Sequence, residues 1–177
     1  MNKAIFFDRD GTLIVDKFYL NNPKDVEYLP GVFSNLENLR DAGFLFVIVT
    51  NQSGIPRGWV SEENLHSIHK RMSKDFAIYN IEFKGYYYSP HMPESDHPDR
   101  KPNPGMLLRA AKDFNIDLTK SWMVGDKMSD VEAGHRAGTK TILIDTKGSA
   151  RSSQYKPPTA YVHTFPELAQ VILSSSV

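Results

Sequence analysis

The 177-residue chain contains no cysteine, which excludes disulfides and thiolate metal centres and suits a reducing compartment. It has no surplus of either charge, since 21 basic residues face 21 acidic ones. No overall field therefore gathers nucleic acid or a membrane surface around it, and any anion recognition must be local. Long apolar runs are missing too: Ala4-Ile5-Phe6-Phe7 stops at Asp8, too short for a signal-peptide core or a bilayer span. A cytoplasmic protein without nucleic-acid or membrane partners is the expectation. There is no internal repeat, and only residues 147–158, rich in Ser, Lys and Pro, read as a mobile stretch.

What is present suffices for one core. With 40% hydrophobic and 24% charged residues, residues 1–177 read as a single domain with little material for a second. Ala4-Ile5-Phe6-Phe7 closes on Asp8-Arg9-Asp10-Gly11, and Phe44-Leu45-Phe46-Val47-Ile48-Val49 closes on Thr50-Asn51-Gln52-Ser53-Gly54. Both are buried-type strands that open into polar loops. Further strands are expected at residues 83–88, 121–124 and 141–144. Helices are expected at 31–42, 61–79 with Ser61 as N-cap, 105–114, 129–137 and 164–173, where Thr164 and Glu167 suit a capping box. This alternation predicts an α/β, three-layer Rossmann-like fold around a central parallel sheet with right-handed crossovers. Ligands of such sheets bind beyond the carboxyl ends of the strands. Two long irregular connections, 16–29 and 90–104, have the length of functional or disordered loops.

The strand ends carry the chemistry. Asp8 and Asp10 are two residues apart, so on an extended chain both side chains point the same way. A divalent cation relieves their repulsion, and Mg²⁺ suits oxygen ligands supplied by one or two carboxylates plus a phosphate. Asp126, after another strand, is the further ligand, giving Asp8, Asp10 and Asp126 as the metal set. Such a set implies phosphoryl transfer, with Asp8 as nucleophile and Asp10 as proton donor and acceptor. Lys101 supplies a fixed cation, and Thr50 with the Asn51 N–H supplies hydrogen-bond donors. Taken singly, each aspartate could be a solvated turn residue; their coincidence with Thr50 and Lys101 favours catalysis. Asp130 and Lys127 are balanced between a role near the metal and ordinary stabilisation of a helix N-terminus. His66 and His69, on one helix face, read as solvated surface. Tyr86-Tyr87-Tyr88 reads as strand packing.

Four blocks occur in order: Asp8-Arg9-Asp10-Gly11-Thr12, Val49-Thr50-Asn51, Arg100-Lys101-Pro102, and Val124-Gly125-Asp126-Lys127 followed by Asp130. In these the chain resembles the haloacid dehalogenase superfamily over residues 3–145. It is most similar to the small branch without a separate cap domain, which holds heptose-bisphosphate and histidinol-phosphate phosphatases. The resemblance implies Mg²⁺-dependent phosphomonoester hydrolysis through an aspartyl phosphate on Asp8. Asn51-Gln52-Ser53-Gly54-Ile55-Pro56-Arg57-Gly58 resembles the heptose enzymes. It implies a small phosphorylated sugar as substrate, losing the 7-phosphate of a heptose 1,7-bisphosphate on the way to lipopolysaccharide or another heptose glycan. Histidinol phosphate is the alternative substrate, and a non-catalytic phospho-ligand-binding protein the contrasting class. Asn51, Gln52, Ser53, Arg57 and Arg100 are then substrate-binding, the two arginines for the second phosphate, which a guanidinium grips bidentately. A monomer or weak homodimer is expected.

One block departs from the branch, whose members carry a cysteine-rich zinc loop. Here Ser89, His91, His97 and Asp99 stand in its place. The family's Zn²⁺ is not carried over; His91, His97 and Asp99 remain as a nitrogen-and-oxygen set that zinc could accept with a water in the fourth position.

Overall fold

The computed structural model describes residues 1–147 and 153–175. Its strands are β1 (Lys3–Phe7), β2 (Phe44–Asn51), β3 (Phe83–Ser89), β4 (Trp122–Gly125), β5 (Lys140–Ile144) and β6 (Ala160–Val162). They form one parallel sheet in the order β3-β2-β1-β4-β5-β6. The helices are α1 (Val32–Asp41), α2 (Glu62–Ala77), α3 (Gly105–Asp113), α4 (Met128–Ala137) and α5 (Phe165–Ser174).

Alternation along β1 explains the three layers. Ile5 and Phe7 enter a core with Leu36 and Leu39 of α1, Ile68, Met72 and Phe76 of α2, and Leu168 and Ile172 of α5. Ala4 and Phe6 point the other way, to Met106, Leu107 and Ala110 of α3 and Ala133 of α4. With helices on both faces, β1 is apolar from Ala4 to Phe7 rather than alternating. Among the described residues there is no separate cap domain. The chain winds outward from β1 through β2 to β3, then returns to β4 on the other side. That reversal opens a crevice at the carboxyl ends of β1 and β4, the usual ligand position in such a sheet.

The expected elements are present with ends shifted by a residue or two at most places, as terminal turns fray. The edge strand β6 was not anticipated. Ser61 caps α2 by accepting the Asn64 N–H at 3.1 Å. At α5 Thr164 accepts the Glu167 N–H, while the Glu167 carboxylate takes the N–H of His163, one residue before the cap.

The connection at 16–29 is ordered. Leu20 and Val26 are buried in the core, Arg71 donates to the Pro23 carbonyl, and Tyr28 donates to Asp75. Asn21 accepts from the Ser61 N–H and from Asn64, fastening the segment to the start of α2. Of the stretch 147–158, residues 148–152 lie outside the described residues. No helix among the described residues is long and apolar enough to cross a membrane.

Candidate active site

Asp8 leaves the end of β1 with its N–H bonded to the Val124 carbonyl of β4 at 2.9 Å, and it is only 6% exposed. Asp126 follows β4, and Asp130 lies in the first turn of α4. Carboxylate oxygens of Asp8, Asp126 and Asp130 lie within 4.8 Å of one another. Two glycines permit this approach. Gly11 has φ +80°, which L side chains avoid, and a Cβ there would overlap the Asp126 carboxylate; a Cβ on Gly125 would overlap Asp130.

Lys101 comes from the proline-rich connection at 90–104 and is 3% exposed. Its Nζ donates to Asp8 at 2.9 Å, to Asp130 at 2.6 Å and to the Val49 carbonyl at 2.8 Å, so all three ammonium hydrogens have acceptors. Burial opposes the Lys101 charge, but Asp130 and Asp8 outweigh it and hold the ammonium above its usual range. Lys127 behaves alike, with Asp8, Asp126 and Asp130 overcoming the effect of burial. The Lys127 N–H donates to Asp130 at 3.0 Å, the backward half of a capping box. Asp130, evenly balanced on sequence grounds, thus belongs to the charged cluster.

Three clustered carboxylates, Asp8 and Asp130 buried and Asp126 partly so, against two ammonium groups leave one negative charge in excess. The Asp126 carboxyl responds. Burial, then Asp8, then Asp130 push its pKa up to about 8, so without a cation it holds a proton. An all-oxygen set of this charge fits Mg²⁺ in chemistry. Asp10, expected as a third side-chain ligand, does not join the set. Both its oxygens are taken by the Arg9 guanidinium at 3.0–3.2 Å, and Gln52 Nε2 adds a donor at 3.2 Å; the carboxylate that converges with Asp8 and Asp126 is that of Asp130.

The other expected residues separate into two kinds. Thr50 is buried and its hydroxyl accepts from Gln52 at 2.8 Å, which leaves its own hydrogen to donate. Asn51 directs its side chain to the main chain of Lys101, and Gln52 directs its amide hydrogens to Asp10 and Thr50. Both therefore orient the charged groups, a role that sequence reasoning missed. Ser53 and Arg100 line a cavity of about 510 Å³ together with Asp10, Tyr19, Gln52 and Lys127. Arg100 also donates to the His91 carbonyl at 3.0 Å. Arg57 is set back from that lining. Its guanidinium faces the Trp59 ring at 4.9 Å and the Tyr19 ring at 5.8 Å, and its Nε has no hydrogen-bond partner among the described residues.

The nitrogen-and-oxygen metal set on His91, His97 and Asp99 is not assembled. The two imidazoles stack at 3.6 Å, His97 Nδ1 accepts the Asp99 N–H, and the Asp99 carboxylate pairs with Arg109 at 2.7 Å. Among the described residues, Asp8, Asp126 and Asp130 are the one group of three such side chains that converges.

Carboxylates and a lysine gathered at the switch point of a parallel sheet define the class, a haloacid-dehalogenase-like phosphatase. Residues 99–170 match the HAD-hydrolase-like family. The chain is 41% identical to D-glycero-beta-D-manno-heptose-1,7-bisphosphate 7-phosphatase of Haemophilus ducreyi, over 86% of this chain and 87% of that one. The enzyme of the same name from Escherichia coli K12 is 40% identical, over 79% and 78%. Among solved structures, D,D-heptose 1,7-bisphosphate phosphatase from B. bronchiseptica, complexed with magnesium and phosphate, superposes with a TM-score of 0.87 at 29% identity, covering 98% of this chain and 99% of that one. The chain belongs to the D-glycero-beta-D-manno-heptose-1,7-bisphosphate 7-phosphatase family.

Proposed function

We propose that the protein removes the 7-phosphate of D-glycero-beta-D-manno-heptose 1,7-bisphosphate by way of a phosphorylated Asp8. The observation that carries this reading is the Lys101 ammonium, buried between Asp8 and Asp130 at 2.9 and 2.6 Å. It holds a nucleophilic carboxylate in place and offers positive charge where phosphoryl oxygens arrive.

Asp8 and Asp126, backed by Asp130, would hold Mg²⁺, which would neutralise charge on the phosphoryl oxygens and orient them for in-line attack. An Asp8 oxygen bonds to phosphorus as the bond from phosphorus to the sugar oxygen breaks, and Asp10 gives its proton to that leaving oxygen. In the second half Asp10 takes a proton from water, the water oxygen bonds to phosphorus, and the acyl phosphate opens to return the Asp8 carboxylate. Thr50 donates its hydroxyl to a phosphoryl oxygen. Asn51 keeps Lys101 in register, and Gln52 and Arg9 keep Asp10 in register.

The substrate follows from the relatives, which are named for a heptose 1,7-bisphosphate, and from the basic groups beside the cavity. Arg100 lines it, and Arg57 lies near enough to oppose the Arg100 charge; two guanidinium groups suit the phosphate that is not cleaved. Ser53 adds a polar contact. The same reading takes residues 1–177 as one hydrolase domain, a monomer or weak homodimer acting on a soluble sugar phosphate in the cytoplasm. Phosphate release with Mg²⁺, measured over heptose bisphosphate, sugar monophosphates and histidinol phosphate, tests it. Preference for the bisphosphate is expected; equal rates on all three would remove the substrate assignment and leave the phosphatase.

A further inference from the structure

His69 lies on α2 and is buried, whereas His66, three residues earlier, is exposed. Its Nε2 lies 3.2 Å from Nη1 of Arg9. Arg9 is 1% exposed and carries hydrogens on every guanidinium nitrogen, so the imidazole must be the acceptor. The remaining edge of the same guanidinium, Nε and Nη2, faces the Asp10 carboxylate at 3.0–3.2 Å. On its other side the His69 ring stacks on Tyr86 of β3 at 4.7 Å, and the Tyr86 hydroxyl accepts from Ser73 of α2 at 2.8 Å.

We infer that His69 is a positioning residue: by accepting from Arg9, it fixes the guanidinium that holds both oxygens of Asp10 and so sets where the proton-transferring carboxylate points. The inference rests on the proposed acid and base role of Asp10. Arg9 is the cause of the arrangement. A guanidinium is always charged, and one buried this completely needs an acceptor for each edge. Without His69 the Nη1 hydrogens lose theirs, and the planar fork is free to rotate away from Asp10. Burial first, then the charge of Arg9, then His66 hold the His69 imidazole down at about 3, so it stays a neutral acceptor near neutral pH. Leu or Met at position 69 would fill the core equally well but could not accept.

Leaving-group dependence tests this, because proton donation matters when a sugar alkoxide departs and little when an acidic phenol does. The variants are His69→Leu, His69→Gln, whose side-chain oxygen can accept, and His69→Asn, which is shorter. Asp10→Asn serves as the reference. We expect His69→Leu to lower kcat/KM about tenfold on heptose bisphosphate and less than about twofold on an aryl phosphate with an acidic phenol, as befits partial loss of general acid catalysis. His69→Gln should restore most of the loss and His69→Asn should not, a contrast that remains informative if the Leu variant folds poorly. Equal losses on both substrates, or no difference between Gln and Asn, would overturn the inference. If Asp10→Asn itself shows no dependence on the leaving group, the acid and base reading of Asp10 fails first.

Discussion

The Asn51 carboxamide clasps the main chain of Lys101 from both sides, donating to its carbonyl at 3.0 Å and accepting its N–H at 3.1 Å. The pair is 50 residues apart in sequence, and it joins the end of β2 to the loop that carries the lysine. Asn51→Ala should therefore act through Lys101. Loss of two hydrogen bonds at a partly buried site should cost about 1–3 kcal/mol of stability and lower kcat by at least about tenfold by misplacing the ammonium. Asn51→Asp keeps the acceptor but loses the donor, and should fall between. Steady-state kinetics and thermal unfolding read both; wild-type kcat in Asn51→Ala would remove the clasp from the account.

Lys101 itself neutralises buried carboxylates. Lys101→Met leaves Asp8 and Asp130 without their shared counter-ion, and removing one partner of a buried pair costs about 3–5 kcal/mol. The metal-free variant should unfold at a lower temperature than wild type, and Mg²⁺ should recover part of the loss by supplying positive charge to the same carboxylates. Activity should stay low even at saturating Mg²⁺. Unfolding curves unchanged by the substitution would contradict the central place of this lysine.

The charge imbalance also has a pH signature. In the metal-free protein Asp126 holds its proton up to about pH 8, whereas the unfolded chain releases it near the ordinary value of 3.8. Over that window the folded state binds more protons, so this group's stabilising contribution, full below about pH 4, is lost as pH rises toward 8. Mg²⁺ requires the ionised carboxylate, so its affinity should climb across the same window and offset the loss. Thermal midpoints measured from pH 4 to 9 with and without Mg²⁺ test both halves. Asp126→Asn should flatten the metal-free profile; a slope that survives in that variant must come from another group.

Two glycines give the carboxylates room. In Gly11→Ala the new Cβ meets Asp126 and the residue keeps an unfavourable φ of +80°, while in Gly125→Ala the Cβ meets Asp130. Overpacking of this kind costs about 1–3 kcal/mol, but the larger effect should be on the metal, since either change forces a carboxylate out of the group. Isothermal titration with Mg²⁺ should find affinity reduced by at least about tenfold, in keeping with the sensitivity of such sites to the groups orienting their ligands. Unaltered affinity in both variants would argue against a metal site built on Asp8, Asp126 and Asp130.

Much of this arrangement was legible because its parts sit at strand ends, where an apolar run gives way to polar residues. Asp8, Thr50 and Asp126 follow such runs, and a parallel sheet brings strand ends together whatever their separation in sequence. What the periodicity could not convey was which partner each polar group would choose once there. Two aspartates two apart share a side of an extended chain, but that pattern does not convey that Arg9, buried between them, draws the Asp10 side chain to itself. His66 and His69 read as solvated surface because they share one helix face, although a helix turning about 100° per residue separates residues three apart enough to bury His69 and expose His66. Asn51 and Gln52 are expected at the substrate from the resemblance of residues 51–58 to the heptose enzymes, and no sequence pattern conveys that their side chains also contact Lys101 and Asp10. The strand β6 escaped notice because it is three residues long, with Tyr161 exposed on the sheet edge, and so has too little alternation to register.

The proposed hydrolysis depends on Asp8 accepting the phosphoryl group. The direct measurement is a crystal structure, or a ¹⁹F spectrum, of the protein with Mg²⁺ and beryllium fluoride, which forms a stable mimic of an acyl phosphate. A beryllium adduct is expected on a carboxylate oxygen of Asp8 beside Lys101, lost in Asp8→Asn. An adduct on another residue, or none in a protein that still releases phosphate from its substrate, would contradict it.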